Sequence, residues 1–377
     1  MTEDKATRYH RLKRRSEVAS LLWSAVCFSG LLLTGVSKVL ADTANGLTGG
    51  SLLLAVPLMV VALLLAHEVG ALPLAWFSGY RLERRYGLSH QTLAGWLGDH
   101  AKAAAVGLVL ASGGALVVYL SMRWFPAGWW LAAGVTLATI VIGLATLAPV
   151  VLLPLFFRFT PLARASLVER LEGLARRAGT RVVGVYEWAL GDKSRRANAA
   201  LTGLGATRRI LVSDTMLADY SDEEIEVVLA HELGHHVHYD IWRGIALESA
   251  LILLGFALTD VVLRRMGPHL GVSSPADLAG LPLLVLTAGA VSLALTPAAL
   301  ALSRRHERRA DRFALQLTSN PSAFISAMRR LGAQNLAEER PSRLVRWLFH
   351  SHPPLDERLA FARAWSASSS TTETQSD

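Results

Sequence analysis

Residues 230–240 read Ala-His-Glu-Leu-Gly-His-His-Val-His-Tyr-Asp, which gathers four histidines and two acids in a short stretch. His231 and His235 stand four residues apart. On a helix that spacing stacks both imidazoles on one face, close enough to share a zinc ion. Glu232 projects to the flank, where a carboxylate can act as general base toward a water held by the metal. The residues before it favour a helix. Ser221 and Glu224 make a capping-box pattern, and Ile225, Val228 and Leu229 follow at helical spacing. His236 and His238 have no matching partner, and Ile241 occupies the place of a third histidine in the extended motif. Both read as surface or supporting residues.

A catalytic zinc takes three protein ligands and keeps one position open. Three downstream acids compete for the third place. Asp240 follows on the same helix at a poor angle, and Glu248 sits inside the next apolar run. Glu307, in Ser-Arg-Arg-His-Glu-Arg-Arg-Ala-Asp, is the strongest candidate, because two apolar runs separate it from His235. An even number of crossings returns the chain to the same side. Asp311 follows Glu307 by one turn and can accept the second N–H of a ligand histidine. A near copy of the motif at residues 65–72 has Ala71 where the second histidine would be. His67 and Glu68 therefore read as polar groups facing a bundle interior.

The elements that position these residues are membrane helices. About 20 apolar residues span a bilayer, and six runs qualify: Val18–Ala41, Ser51–Phe77, Ala103–Trp124, Trp129–Phe157, Ile241–Leu263 and Gly280–Leu302. The first exceeds a signal-peptide core and carries Lys38 without a small-x-small cleavage site, so it reads as a retained helix. With the N-terminus inside, all of the 38 Lys and Arg except Lys38, Arg123, Arg264 and Arg265 fall on the inner side. The formal charge of +8 thus marks topology, and no basic segment interleaved with aromatics suggests nucleic acid. Cys27 alone excludes internal disulfides and a cysteine-rich metal site.

This divides the chain into a basic arm (1–17), a four-helix membrane domain (18–157) with a cytoplasmic loop (79–102), and a cytoplasmic catalytic segment (158–240). A membrane hairpin (241–302), a second catalytic segment (303–365) and a disordered tail (366–377) complete it. The fold class is an all-α polytopic membrane protein with a zincin-like domain containing a small β-sheet. Residues 181–190 and 208–215 read as strands, with Asn-Ala-Ala-Leu-Thr-Gly-Leu-Gly between them.

With both metal motifs placed, the chain resembles the CAAX prenyl protease family of integral-membrane zinc metallopeptidases. The likeness runs from the second apolar run to Arg358 and includes Glu-Arg-Arg-Tyr-Gly-Leu, Pro-Leu-Phe-Phe-Arg-Phe-Thr-Pro-Leu and Ser-His-Pro-Pro-Leu-Asp-Glu-Arg-Leu. The resemblance implies one zinc per chain on His231, His235 and Glu307, with Glu232 as base and Asp311 as site-supporting aspartate. It also implies that His352 and Arg358 act near the site on substrate or the developing oxyanion, and that Asn198 and Ala199 lie on a substrate-binding sheet edge. Family members typically have seven membrane helices, where this chain shows six. The expected partners are a polypeptide, membrane-associated or unfolded, and the lipid bilayer. The expected location is a bacterial inner membrane with a cytoplasmic site. Two other readings use the same sequence: an HtpX-like quality-control protease, and an idle membrane scaffold, which would have no need of Glu232.

Overall fold

The structure, a computed structural model, describes residues 4–203 and 207–373. Helix α1 (Lys5–Leu33) starts at an Asp4 cap and passes unbroken through the basic segment into the first apolar run. The basic arm is thus helical and packed: Tyr9 is buried and donates its hydroxyl to Glu83 at 2.5 Å. Gly35, at φ +74°, then separates α1 from α2 (Val36–Leu47). The run expected as one span over Val18–Ala41 is therefore two helices, because a left-handed residue cannot continue a right-handed helix and glycine adopts it without strain.

Helix α3 (Leu52–Ala75) continues through a π-helical turn at Trp76–Arg81 into α4 (Leu82–Arg85). Thr92 caps the start of α5 (Leu93–Trp124). The expected loop over 79–102 is consequently helical at both ends, since the membrane helices extend past their apolar stretches. α6 (Trp129–Val151) and the short α7 (Leu153–Phe156) close the first half. β1 (Phe159–Pro161), α8 (Ala165–Arg177), β2 (Val185–Trp188), β3 (Ala199–Thr202), β4 (Arg209–Ser213) and α9 (Asp214–Asp219) follow. The remainder is α10 (Asp222–Val237), α11 (Asp240–Met266), α12 (Leu281–Thr318), α13 (Pro321–Gln334), α14 (Arg343–Phe349) and α15 (Leu355–Glu373). α15 carries helix through most of the tail expected to be disordered from 366. Once Leu355, Leu359 and Ala362 have packed its first turns, extension costs no new nucleation.

Helices α1, α3, α5, α6, α11 and α12 pack as a ring, each against the next, with α12 returning to α1. Five of them are long and apolar enough to cross a bilayer, and α6 adds the apolar stretch Trp129–Ala145. The protein is an all-α polytopic membrane protein with a small mixed sheet. Close approach in the ring is made by glycine: a Cβ on Gly134 would lie 2.8 Å from Leu253, across the α6–α11 contact.

The sheet has order β1-β2-β4-β3, with β2 and β4 parallel and the outer pairs antiparallel. The segment read as a connection between two strands supplies the edge strand β3. A second core joins this sheet to the helices outside the ring: Leu167, Leu171 and Leu174 of α8 meet Ile210 and Val212 of β4, Ile225 and Leu229 of α10, and Phe324 of α13. Each such buried side chain contributes about 1.5–3 kcal/mol.

α10 crosses α12 at Gly234, where a Cβ would stand 3.0 Å from Ala310 Cα and 3.3 Å from its carbonyl oxygen. Backbone cannot yield as a side chain does, so overpacking here should cost about 1–3 kcal/mol. Gly234→Ala should lower both the unfolding temperature and the zinc content of purified protein. Metal content and unfolding temperature equal to those of the unsubstituted chain would show that this contact does not set the helix spacing.

Candidate metal and active site

The Ser221 capping box is present, with Glu224 N–H donating to Ser221 Oγ and Ser221 N–H donating to Glu224 Oε2. It fixes the start of α10, and the helix carries His231 and His235 to the surface that faces α12. There Glu307 completes a triangle. His231 Nε2 lies 3.2 Å from His235 Nε2 and 3.3 Å from Glu307 Oε2, and His235 Nε2 lies 3.3 Å from Glu307 Oε1. Ligands about 2.0–2.1 Å from a tetrahedral ion stand roughly 3.4 Å apart. The three residues together can hold one metal ion. Glu307 Oε2 is also buried without a hydrogen bond of proper geometry, although His352 Nδ1 lies 2.7 Å from it. An acceptor surrounded by nitrogen atoms and satisfied by none of them fits a cation between them.

Each histidine of the triangle has its other nitrogen against an acid. His231 Nδ1 is 2.9 Å from Asp311, and His235 Nδ1 is 3.1 Å from Asp240. That arrangement turns both Nε2 atoms toward the common point. Asp311 is gripped by Arg358, whose Nε and Nη2 donate at 2.9 and 2.5 Å. Arg309 donates to Asp240 through Nη2 alone. Asp240, weighed from its spacing as a metal ligand on the same helix, supports His235 instead, because the turn at Tyr239, at φ +57°, ends α10 and swings it back onto the imidazole. A short polar stretch ending the metal helix is the signal that could have been used.

The other expected residues fall as follows. Glu232 is beside the triangle, and burial pushes its carboxyl above the ordinary range. Asn198, Ala199, Glu232, His352 and Arg358 line one cavity of about 390 Å³ with the triangle's His231 and Glu307. Ser213 N–H donates to the Asn198 carbonyl and Asn198 N–H to Ser213 Oγ, both at 2.9 Å, so strand alternation leaves the N–H and C=O of Ala199 facing the free edge. Glu248 lies apart, in a separate cavity between α11 and α12. His238 contacts Gly234 O at 2.7 Å. His67 meets Ser24 Oγ at 2.8 Å and stacks on Phe28, and Glu68 lies 3.5 Å from His100. These last contacts join α1, α3 and α5.

Comparison with known proteins now has a site to explain. The family model described as peptidase family M48 matches residues 161–366, and one described as "CAAX prenyl protease N-terminal, five membrane helices" matches residues 2–158. The chain belongs to peptidase family M48. It is 33% identical over 341 residues to the metalloprotease YhfN of Bacillus subtilis, covering 89% of this chain and 79% of that one. It is 30% identical over 310 residues to CAAX prenyl protease 1 of Saccharomyces cerevisiae, covering 76% and 67%. The crystal structure of S. mikatae Ste24p shares the fold, with TM-score 0.83 and 23% identity over 95% of this chain and 88% of that one. This M48 peptidase is a membrane zinc metalloendopeptidase resembling CAAX prenyl proteases, acting on polypeptide in a lipid environment.

Burial works against a charge on His231, but hydrogen bonds and charge from Asp311 and Glu307 outweigh it and raise the metal-free residue to about 10. Because that value lies above the ordinary one, the proton stabilises the metal-free fold below the usual histidine range. The stabilisation disappears as pH rises through the folded value. Zinc must displace this proton at neutral pH. Zinc titrated into chelator-stripped protein should therefore release about one proton or more per ion, read from the dependence of binding heat on buffer ionisation. Heat independent of buffer would mean that His231 is already neutral.

Proposed function

We propose that this M48 peptidase cleaves membrane-associated or unfolded polypeptide segments that enter extended at the cytoplasmic membrane boundary. The observation that carries this reading is one cavity holding His231, Glu307 and Glu232 at one side and the free edge of β3 at another. Zinc on His231, His235 and Glu307 supplies Lewis acidity, which acidifies a water and polarises a carbonyl. Glu232 takes a proton from the attacking water and passes it to the leaving amine. Its place beside the triangle and in the same cavity suits a base that must also return the proton. Asp311, fixed by Arg358, holds His231 in one orientation. The imidazole of His352, beside Glu307 and 62% exposed, donates an N–H to the developing oxyanion. Ala199 offers main chain to a substrate strand, and Asn198 and Arg358 border its path in the same cavity.

The lysine and arginine asymmetry supports a cytoplasmic N-terminus and site, and the Bacillus relative supports a bacterial cell membrane. Several relatives are named for CAAX prenyl substrates. Our reading takes from them the peptide-bond chemistry and assigns the substrate by its access to the membrane boundary. Quality control of damaged membrane proteins would use the same residues.

Glu232→Gln should keep its zinc and lose about 10²–10⁴-fold in cleavage rate on an unfolded membrane-protein substrate. Activity close to that of the native chain would overturn the mechanism. Glu307→Ala should hold zinc far below the level of about one ion per chain expected of an intact three-ligand site. Full zinc retention would move the third ligand elsewhere.

A further inference from the structure

The segment between α13 and α15 carries His352, and it is pinned at two places. At one end, Arg14 of α1 donates to the buried carboxylate of Glu338 at 2.6 and 3.4 Å. Arg14 is four residues before Val18, where the first apolar run begins. At the other end, buried Arg304 of α12 donates to the carbonyls of Arg346 and His350 at 3.2 and 2.7 Å. Arg304 is two residues beyond Leu302, where the last apolar run ends. Both pins thus lie within about one helical turn, roughly 6 Å, of the membrane boundary. The helix between them, α14, is held at that level.

α14 reads Arg-Leu-Val-Arg-Trp-Leu-Phe. Leu344 and Trp347, three apart on one face, are 64% and 51% exposed, and Phe349 is 38% exposed. Arg343 and Arg340 are exposed beside them. Large apolar side chains at a membrane boundary, with a tryptophan and flanking arginines, have the composition of an interfacial helix. Tyr239 and Trp242, exposed at the foot of α11, continue the same belt. Asp240, between them, pairs with Arg309 of α12, and Ile241 begins the fifth apolar run.

We propose that α14 is a membrane-interface anchor. Leu344 and Trp347 enter the headgroup region of the leaflet next to the active site, and Arg343 meets anionic phospholipid. The loop that begins at His350 is then seated on the bilayer, and the position of His352 depends on lipid contact. This goes beyond the proposed peptidase reading and rests only on that reading's placement of the membrane.

The test uses the full chain with Cys27→Ser, reconstituted in vesicles of phosphatidylcholine and phosphatidylglycerol. A nitroxide is attached at Leu344→Cys or Trp347→Cys, and at Arg176→Cys of α8 as an aqueous control. Labels at 344 and 347 should be accessible to oxygen and shielded from a water-soluble nickel complex, with the control reversed. Accessibility equal to that of the control, or shielding from both reagents as under a protein cover, would overturn the anchor. The doubly substituted Leu344→Glu, Trp347→Glu chain should cleave a soluble peptide normally in detergent and several-fold more slowly in vesicles. Equal activity in vesicles, or equal loss in both media, would overturn the coupling to His352. The depth readings do not depend on catalysis, so they stand or fall separately from the Glu232→Gln result.

Discussion

The crossing of α10 over α12 is the contact on which the rest of the structure depends. Gly234 lies between the two histidines in sequence, and Ala310 lies between Glu307 and Asp311. A Cβ on Gly234 would stand only 3.0 Å from Ala310 Cα, so the two backbones are in close contact there. Only this approach lets a carboxylate from one helix complete a triangle with two imidazoles from the other. The ligands are therefore fixed by packing of small residues, and the polar contacts around them adjust orientation inside a spacing already set.

A second layer of charge then locks the ligands. Asp311 and Asp240 are both buried, each touches a histidine of the triangle, and each is held by an arginine from another turn or helix. Isolated acids in these positions would pay a desolvation cost that the arginines offset. The outcome is a site whose histidine orientations are set by α12 and α15 before any metal arrives. The N-terminal end of α1 belongs to the same scaffold. Tyr9 reaches Glu83, which also receives Arg196 just ahead of β3, while His10 reaches the Leu336 carbonyl and Arg14 reaches Glu338, which lines the cavity.

Much of this was legible in the sequence for a simple reason. Helical period and apolar run length are local properties, so the membrane helices, the capping box and the pairing of His231 with His235 could be read directly. Glu307 could be reached by counting membrane crossings. What could not be read depends on backbone turns and on distant neighbours. Gly35 divides the first apolar run with a left-handed residue, and one glycine among the 30 in the chain carries no mark of doing so. The partners of Arg14, Arg304 and Asp240 lie across the fold, and nothing in their flanking residues names them. The strand character of residues 199–202 was hidden by alanines, which pattern weakly for sheet.

α12 is one unbroken helix from the membrane to Thr318. Glu307 stands five residues past Leu302, so the third metal ligand is carried about 7–8 Å above the end of the apolar run on a rod that cannot shorten. Such a rod is a ruler. It sets how far past the end of the apolar run the third metal ligand stands, and no change of side chain elsewhere in the site alters that height.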